Sequence, residues 1–453
     1  MRQGIRGGHI AVPRFRHPGQ LVVAGFAGAI AVGTLLLLLP IARTGEGGAT
    51  FVQALFTATS AVCVTGLVVV DTPTFWSGFG EVVILALIQV GGFGIMTLAS
   101  LLGLLISRRM GLRTRLTAAA ETKTVGIGDV RTVLIGVARV SLIFESITAV
   151  LLAGRFVIGY DEPIGRAVYL GVFHSISAFN NAGFALFTDN LMPFVTDAWI
   201  CLPIAGAVIA GGLGFPVLFE LRRQLLRPAR WSLHTKLTMY TTALLLFLGT
   251  VFVTGSEWRN PGTLGALDFS GRLLAGFFGA VMPRTAGFNS LDVSEFSSGT
   301  LLGMDVLMFI GGGSAGTAGG IKVTTFALLF FAIYAEVRGE PTVNIFDRRV
   351  EPRALRQALT VALLGVGAVI AATLLLVELT RQSLDVVLFE VISAFATVGL
   401  SRGITADLPS LGQYVLIALM FLGRLGPITL VSALALRDRR RLYQLPESRP
   451  IIG

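Results

Sequence analysis

Four short stretches of this chain repeat one another, and that repeat limits what the chain can fold into more than any other feature. "FTATSAVCVTGL" (Phe56–Leu67), "FHSISAFNNAGF" (Phe173–Phe184), "FFGAVMPRTAGF" (Phe277–Phe288) and "FEVISAFATVGL" (Phe389–Leu400) each set a glycine ten residues after a phenylalanine. The glycines Gly66, Gly183, Gly287 and Gly399 are 117, 104 and 112 residues apart, so the copies fill nearly the whole chain. Six residues before the glycine stand Ser60, Ser177 and Ser393, with Val281 in the third copy. A period this long marks a repeated supersecondary unit.

The flanks of each copy define that unit. A long apolar run precedes it (Leu21–Pro40, Val133–Gly154, Thr235–Thr254, Leu355–Leu379), and a second follows it (Glu81–Ser107, Trp199–Leu221, Leu301–Tyr334, Leu411–Leu436). Runs of about 20 apolar residues are long enough to cross a bilayer. The copies between them reach only about three helical turns, too short to span. Each is expected to enter the membrane as a half-helix and return through a non-helical loop. Such backbone is tolerated at membrane depth only where it lines water or is buried in protein. The expected fold is an all-α polytopic membrane protein of four pseudo-repeats, each span–pore helix–span, around one central pore. The units are 21–107, 133–221, 235–334 and 355–436, joined by cytoplasmic loops 108–132, 222–234 and 335–354, with tails 1–20 and 437–453.

Composition agrees. Hydrophobic residues make up 53% of the 453 and charged residues 14%, against about 25% charged in soluble domains. The net charge of +10 is nearly all arginine, lysine occurring only at Lys123, Lys236 and Lys322. A basic chain can bind nucleic acid, but here the charges fall between apolar runs and report topology instead. Arg2, Arg6, Arg14 and Arg16 precede the first run. Arg108, Arg109, Arg113 and Arg115, then Arg222, Arg223, Arg227 and Arg230, then Arg348, Arg349, Arg353 and Arg356, and last Arg437, Arg439, Arg440 and Arg441 follow the second runs. The positive-inside rule puts both termini and these loops in the cytoplasm, with the glycine loops opening outward. The first run has no cleavage site after it and is expected to be retained. Cys63 and Cys201 support neither a disulfide framework nor a metal cluster.

A half-helix followed by an extended loop, four times over, can surround one axis with backbone carbonyls. Glycine permits positive φ, so successive carbonyls can turn the same way. A carbonyl ring can replace the hydration shell of K+, and half-helix carbonyl ends aimed at the centre favour cations. The four candidate filter pieces are Val64-Thr65-Gly66, Asn181-Ala182-Gly183, Thr285-Ala286-Gly287 and Thr397-Val398-Gly399. One such tripeptide means little, and a lone glycine more often serves helix packing. Four aligned copies, each between two spans, point to a filter.

This plan resembles the Trk/Ktr/HKT superfamily of K+ transporters, and in particular its Ktr branch of membrane subunits, over nearly the full chain. The resemblance makes Gly66, Gly183, Gly287 and Gly399 the filter glycines and K+ the transported ion bound there. It implies no covalently bound cofactor and leaves Na+ as a candidate activator. In related plant proteins serine at the first glycine favours Na+, so Gly66 speaks for K+. The residues after the glycines are Leu67, Phe184, Phe288 and Leu400, where tetrameric K+ channels carry tyrosine. The resemblance further implies a homodimer docked on a cytoplasmic, KtrA-like ring of nucleotide-binding regulatory subunits. The basic loops and the tail 437–453 offer the docking surface, and equally a surface for anionic membrane lipid.

The second runs align through "VGGFG", "AGGLG", "IGGGS" and "LGRLG". At the second glycine the series reads Gly92, Gly212, Gly312 and then Arg424. A charge near mid-membrane is costly and is expected to face water below the filter, where it repels cations. The family's arginine at this place acts as a barrier. The alternative is an arginine capping pore-helix carbonyls. In the third unit the stretch Gly311, Gly312, Gly313, Ser314, Ala315, Gly316, Thr317, Ala318, Gly319, Gly320, Ile321, Lys322 interrupts an apolar helix with six glycines. Each costs about 1 kcal/mol against alanine in a helix, so an unwound segment is expected. It corresponds to the family's gating loop. Lys322 either snorkels toward the cytoplasm or contacts the gate.

Other polar residues carry less. His174 and Glu390, each nine residues before its glycine, read as satisfied groups behind the filter. Asn181 either offers its side-chain oxygen to an ion or holds the loop. Asp71 and Glu81 read as solvated acids, and Arg402 as a brace whose partner sequence does not name. No catalytic set, P-loop or dinucleotide fingerprint on a strand is present. Two alternatives remain: a Na+-permeable or Na+-coupled member of the superfamily, or a polytopic membrane enzyme. The scarcity of intramembrane ionisable residues opposes the enzyme.

Overall fold

In the computed structural model, residues 18–109 and 130–426 are described. The N-terminal tail with Arg2, Arg6, Arg14 and Arg16, the loop arginines Arg113 and Arg115, the end of the last apolar run and the C-terminal tail with Arg437 lie outside the described residues.

The first unit comprises α1 (Pro18–Leu37), the short α2 (Phe51–Val62) and α3 (Gly78–Arg109). The second has α4 (Val130–Tyr160), short α5 (Ile164–Phe179), and α6 (Ala198–Leu213) followed by α7 (Phe215–Gln224). The third has α8 (Leu233–Glu257), short α9 (Phe269–Val281), α10 (Ser298–Phe309) and α11 (Val323–Val337). The fourth has α12 (Pro352–Thr380), short α13 (Leu384–Phe395) and α14 (Ser410–Leu425). A two-stranded hairpin, β1 (Asn344–Ile345) with β2 (Arg348–Arg349), lies between α11 and α12.

Polar caps start the helices where the sequence turns apolar. Thr50 and Gln53 form a reciprocal capping box on α2. Ser232, Asp268 and Ser297 cap α8, α9 and α10 with their side chains. The short helices form the buried centre; Phe56, Phe173 and Phe389 have no exposed surface. Around them stand α4, α8 and α12, whose apolar windows are only 28%, 33% and 28% buried. Ile158, Val150, Phe247 and Leu363 project from these helices to the outside. Apolar surface so extensive belongs against lipid.

Packing closes the four units into a circle. Helix α3 packs on α5, α6 on α9 and α10 on α13, so each post-loop helix supports the short helix of the next unit. Helix α14 then packs on α2, joining the last unit to the first.

Two of the eight expected spans differ from a single rod. The run Trp199–Leu221 is not continuous: α6 and α7 meet at a 102° bend. Gly214 at the break has φ +90°, a conformation that terminates a helix and suits glycine. Gly426, the matching last glycine of "LGRLG", ends α14 with φ +77°. In the first unit α3 passes through its glycines unbroken. In the third, helix ends at Phe309 and resumes at Val323, leaving 310–322 non-helical, close to the expected 311–322.

One buried acid, Glu257, holds the C-terminal end of α8. Glu257 is fully buried and accepts from the Asn260 amide, the Thr263, Ser297 and Thr300 hydroxyls, and the Ser297 N–H. Removing the acceptor strands several donors, each at about 1–3 kcal/mol. Glu257→Ala is therefore expected to lower the thermal unfolding midpoint of detergent-purified chain by several degrees, while Glu340→Ala at an exposed site leaves it unchanged.

Candidate functional site

The four loops after α2, α5, α9 and α13 share one backbone pattern. The residue two before each glycine has positive φ: Val64 (54°), Asn181 (59°), Thr285 (66°) and Thr397 (50°). The glycines follow at 91°, 71°, 72° and 96°. The residue between has negative φ, so the handedness of the backbone alternates along each loop. Val64, Thr285 and Thr397 are β-branched, for which left-handed backbone is an outlier costing about 1–3 kcal/mol. The surrounding packing must hold them there.

The glycines meet in a ring. A Cβ on Gly66 would lie 2.3 Å from the Ala182 carbonyl oxygen, and one on Gly183 2.7 Å from that of Ala286. One on Gly287 would lie 2.5 Å from the Val398 oxygen, and one on Gly399 2.1 Å from the Thr65 oxygen. Each loop thus abuts the next and the fourth abuts the first, with no room for a side chain at any of the four positions.

Serines behind the ring hold two loops directly. Ser60 Oγ accepts the Gly66 N–H and Ser393 Oγ the Gly399 N–H, each at 3.1 Å. Ser177 Oγ donates to the Phe184 carbonyl at 2.8 Å. Val281 cannot do this in the third unit, where the Gly287 N–H reaches the Met282 carbonyl at 3.5 Å instead. His174 and Glu390 are satisfied structural groups. His174 Nε2 accepts the Leu186 N–H while Nδ1 faces the Leu170 carbonyl, and Glu390 takes the Ser401 and Thr405 hydroxyls. Arg402 finds Asp385, at the start of α13, at 2.6 Å. Ser383, with Arg402, holds the Asp385 carboxyl down at about 2.

Below the ring, the glycine-rich segments have a packing reason. A Cβ on Gly91, Gly211 or Gly423 would come within 2.0, 1.9 and 1.7 Å of the Val62, Phe179 and Phe395 carbonyl oxygens. These are the last carbonyls of α2, α5 and α13, so each short helix rests its negative end on the glycine of its own following helix. Among the second glycines, Gly92 lies against Asn180, where a Cβ would come within 1.9 Å of Oδ1. Gly212 and Gly312 both lie against Ala318 of the segment 311–322.

That segment folds back under the ring. Gly313 N–H donates to the Gly212 carbonyl at 2.7 Å, Thr317 N–H to Gly211 at 3.2 Å, and Gly311 N–H to Ile321 at 2.9 Å. Ser314 and Ala315 sit lower, against Thr324 and Gly214, away from the ring. The Lys322 ammonium donates to the Ala318 carbonyl at 2.5 Å, a contact within the segment itself. Arg424 is 5% exposed, and its Nη1 donates to the Thr317 carbonyl. Its partner is the segment and not a pore-helix carbonyl, while its Nε and Nη2 have no partner among the described residues.

A family model described as cation transport protein, TrkH, matches residues 13–439. The chain belongs to the TrkH cation transport family. The Ktr system potassium uptake protein B of Bacillus subtilis (strain 168) is 40% identical over 429 residues, covering 94% of each chain. The potassium/sodium uptake protein NtpJ of Enterococcus hirae is 35% identical over 444 residues, 96% of this chain and 97% of that one. The crystal structure of the potassium transporter TrkH from Vibrio parahaemolyticus superposes with a TM-score of 0.74 at 17% identity, covering 95% of this chain and 87% of the other. The fold is that of a multi-pass membrane transporter, and membership of a transport family removes the membrane-enzyme alternative.

Within this TrkH-family chain, three features went unread in the sequence. Arg284 is 7% exposed and donates to the Thr242 and Gly311 carbonyls at 3.2 and 3.1 Å, tying the third loop to the start of the intramembrane segment. Its signal was an arginine two residues before the TAG glycine's alanine. Glu145, 7% exposed in the middle of α4, accepts from Gln89 at 3.1 Å and from Asn180 at 3.3 Å. It was an acid inside an otherwise apolar run. The serine braces were visible as an alignment without a role.

Proposed function

We propose that this chain carries K+ into the cell through a filter of backbone carbonyls from Val64–Gly66, Asn181–Gly183, Thr285–Gly287 and Thr397–Gly399. The observation that carries the reading is the closed ring in which each glycine abuts a carbonyl of the next loop. Carbonyls held by such a ring can substitute for water around a monovalent cation. The segment 311–322 gates the path from below, and Arg424 adds an electrostatic barrier. Relatives named for potassium uptake support K+ as the cargo. The word "system" in that name supports a second component. In our reading it is a cytoplasmic nucleotide-binding ring docking on the arginine-rich loops of a homodimer, with both termini cytoplasmic. Na+ either activates uptake or competes poorly for it.

A second reading, a Na+-permeable carrier, draws on the relative named for both ions. The discriminating experiment is Gly66→Ser with ion competition in proteoliposomes. The serine would have to displace the Ala182 carbonyl. The expected result is a loss of K+ preference over Na+ of about ten-fold, equal to roughly 1.4 kcal/mol. An unchanged preference would remove Gly66 from the filter.

A further inference from the structure

The filter-forming backbone and the segment beneath it are joined by side chains at one repeated position. Asn181, Thr285 and Thr397 each stand two residues before a ring glycine, each with positive φ, and each presents a polar side chain to the segment 311–322. The Thr317 hydroxyl donates to Asn181 Oδ1 at 2.7 Å. The Gly319 N–H donates to Thr285 Oγ1 at 3.2 Å. Gly319 is wedged against the fourth loop, where a Cβ would lie 2.0 Å from Thr397 Oγ1 and 2.5 Å from the Ala396 carbonyl oxygen. The matching residue of the first loop is Val64, which has no polar atom to offer. The segment's tip, 317–320, is therefore seated on three of the four loops, and Arg424 holds it from the remaining side through the Thr317 carbonyl.

We propose that the side chains of Asn181 and Thr285 are the latch that keeps the intramembrane segment shut. These residues serve the filter through their backbone and the gate through their side chains. The proposal rests on the transport reading above. All atoms in the latch are buried, so a bond lost on opening is not replaced by solvent until water enters the space below the ring. Each bond biases the segment toward its closed position, and movement of the tip removes support from the second and third loops together. In this proposal Asn181 is a positioning residue.

The test is Rb+ flux into proteoliposomes containing the full chain alone. Thr285→Val removes the acceptor while keeping shape and backbone, and Thr317→Val removes the donor to Asn181. Each is expected to raise flux about five-fold, the scale of one buried hydrogen bond. Thr285→Ser, which restores the hydroxyl, returns flux to the wild-type level. A chain whose residues 314–320 are replaced by a shorter linker lacks the seated tip and its latch, and is expected to carry flux at least as fast as either valine variant. If both valine variants leave the intact chain's flux unchanged, the latch is refuted. If Thr285→Val in the intact chain changes the K+ to Na+ preference, the side chain acts in the filter and the proposal falls. Absence of K+-competed flux from the shortened chain itself would overturn the transport reading and the latch with it.

Discussion

Gly287→Ala is expected to cut K+-competed Rb+ uptake at least about ten-fold while the chain still inserts and purifies. Two costs coincide at this residue. Its φ of +72° disfavours any residue with a Cβ by about 1–2 kcal/mol. The methyl would also lie 2.5 Å from the Val398 carbonyl oxygen and 3.3 Å from the Gly183 Cα. Backbone on both neighbouring loops would have to move, and those loops are braced by Ser177 and Ser393. Carbonyls moved by a few tenths of an ångström no longer match a dehydrated ion. Gly206→Ala, in α6 with open space around its Cβ position, is the control and should retain uptake. Uptake by Gly287→Ala equal to that of the control would show that ions do not pass the ring.

Arg424→Ala is expected to raise the flux of the isolated chain about ten-fold or more. Two unit charges at roughly 6 Å and an effective dielectric near 20 repel by about 3 kcal/mol. Removing the guanidinium relieves that repulsion and frees the Thr317 carbonyl it holds. Arg424→Lys keeps the charge with a shorter reach and is expected to fall between the two. An alanine variant with wild-type flux would mean that the arginine serves only to hold the fold. The distinction is measurable because two of its nitrogens, Nε and Nη2, are buried with no protein partner among the described residues.

Much of this was legible in the sequence, for reasons that can be named. The four glycines were visible because a position that admits no Cβ leaves only one residue choice, whatever surrounds it. The break at 311–322 was visible because six glycines cannot sustain a helix. The bend at Gly214 was not, since Gly94 occupies the matching place in an unbroken α3. Local sequence is permissive at both, and packing decides. Nor did Val64, Thr285 and Thr397 advertise left-handed backbone, which runs against the preference of β-branched residues. There the ring imposes a conformation that propensity alone would reject. The contact of Lys322 with the Ala318 carbonyl likewise depends on the folded segment.

The decisive measurement is 86Rb+ uptake into proteoliposomes holding the purified chain, with and without residues 314–320, in the presence of K+ or Na+. Shortening the segment removes the seated tip, so a closed gate no longer hides the pore. The expected result is uptake that K+ abolishes and equal Na+ leaves largely intact, faster in the shortened chain than in the full one. No uptake by the shortened chain, or uptake that K+ and Na+ suppress equally, would contradict a K+-selective path through the ring of Gly66, Gly183, Gly287 and Gly399.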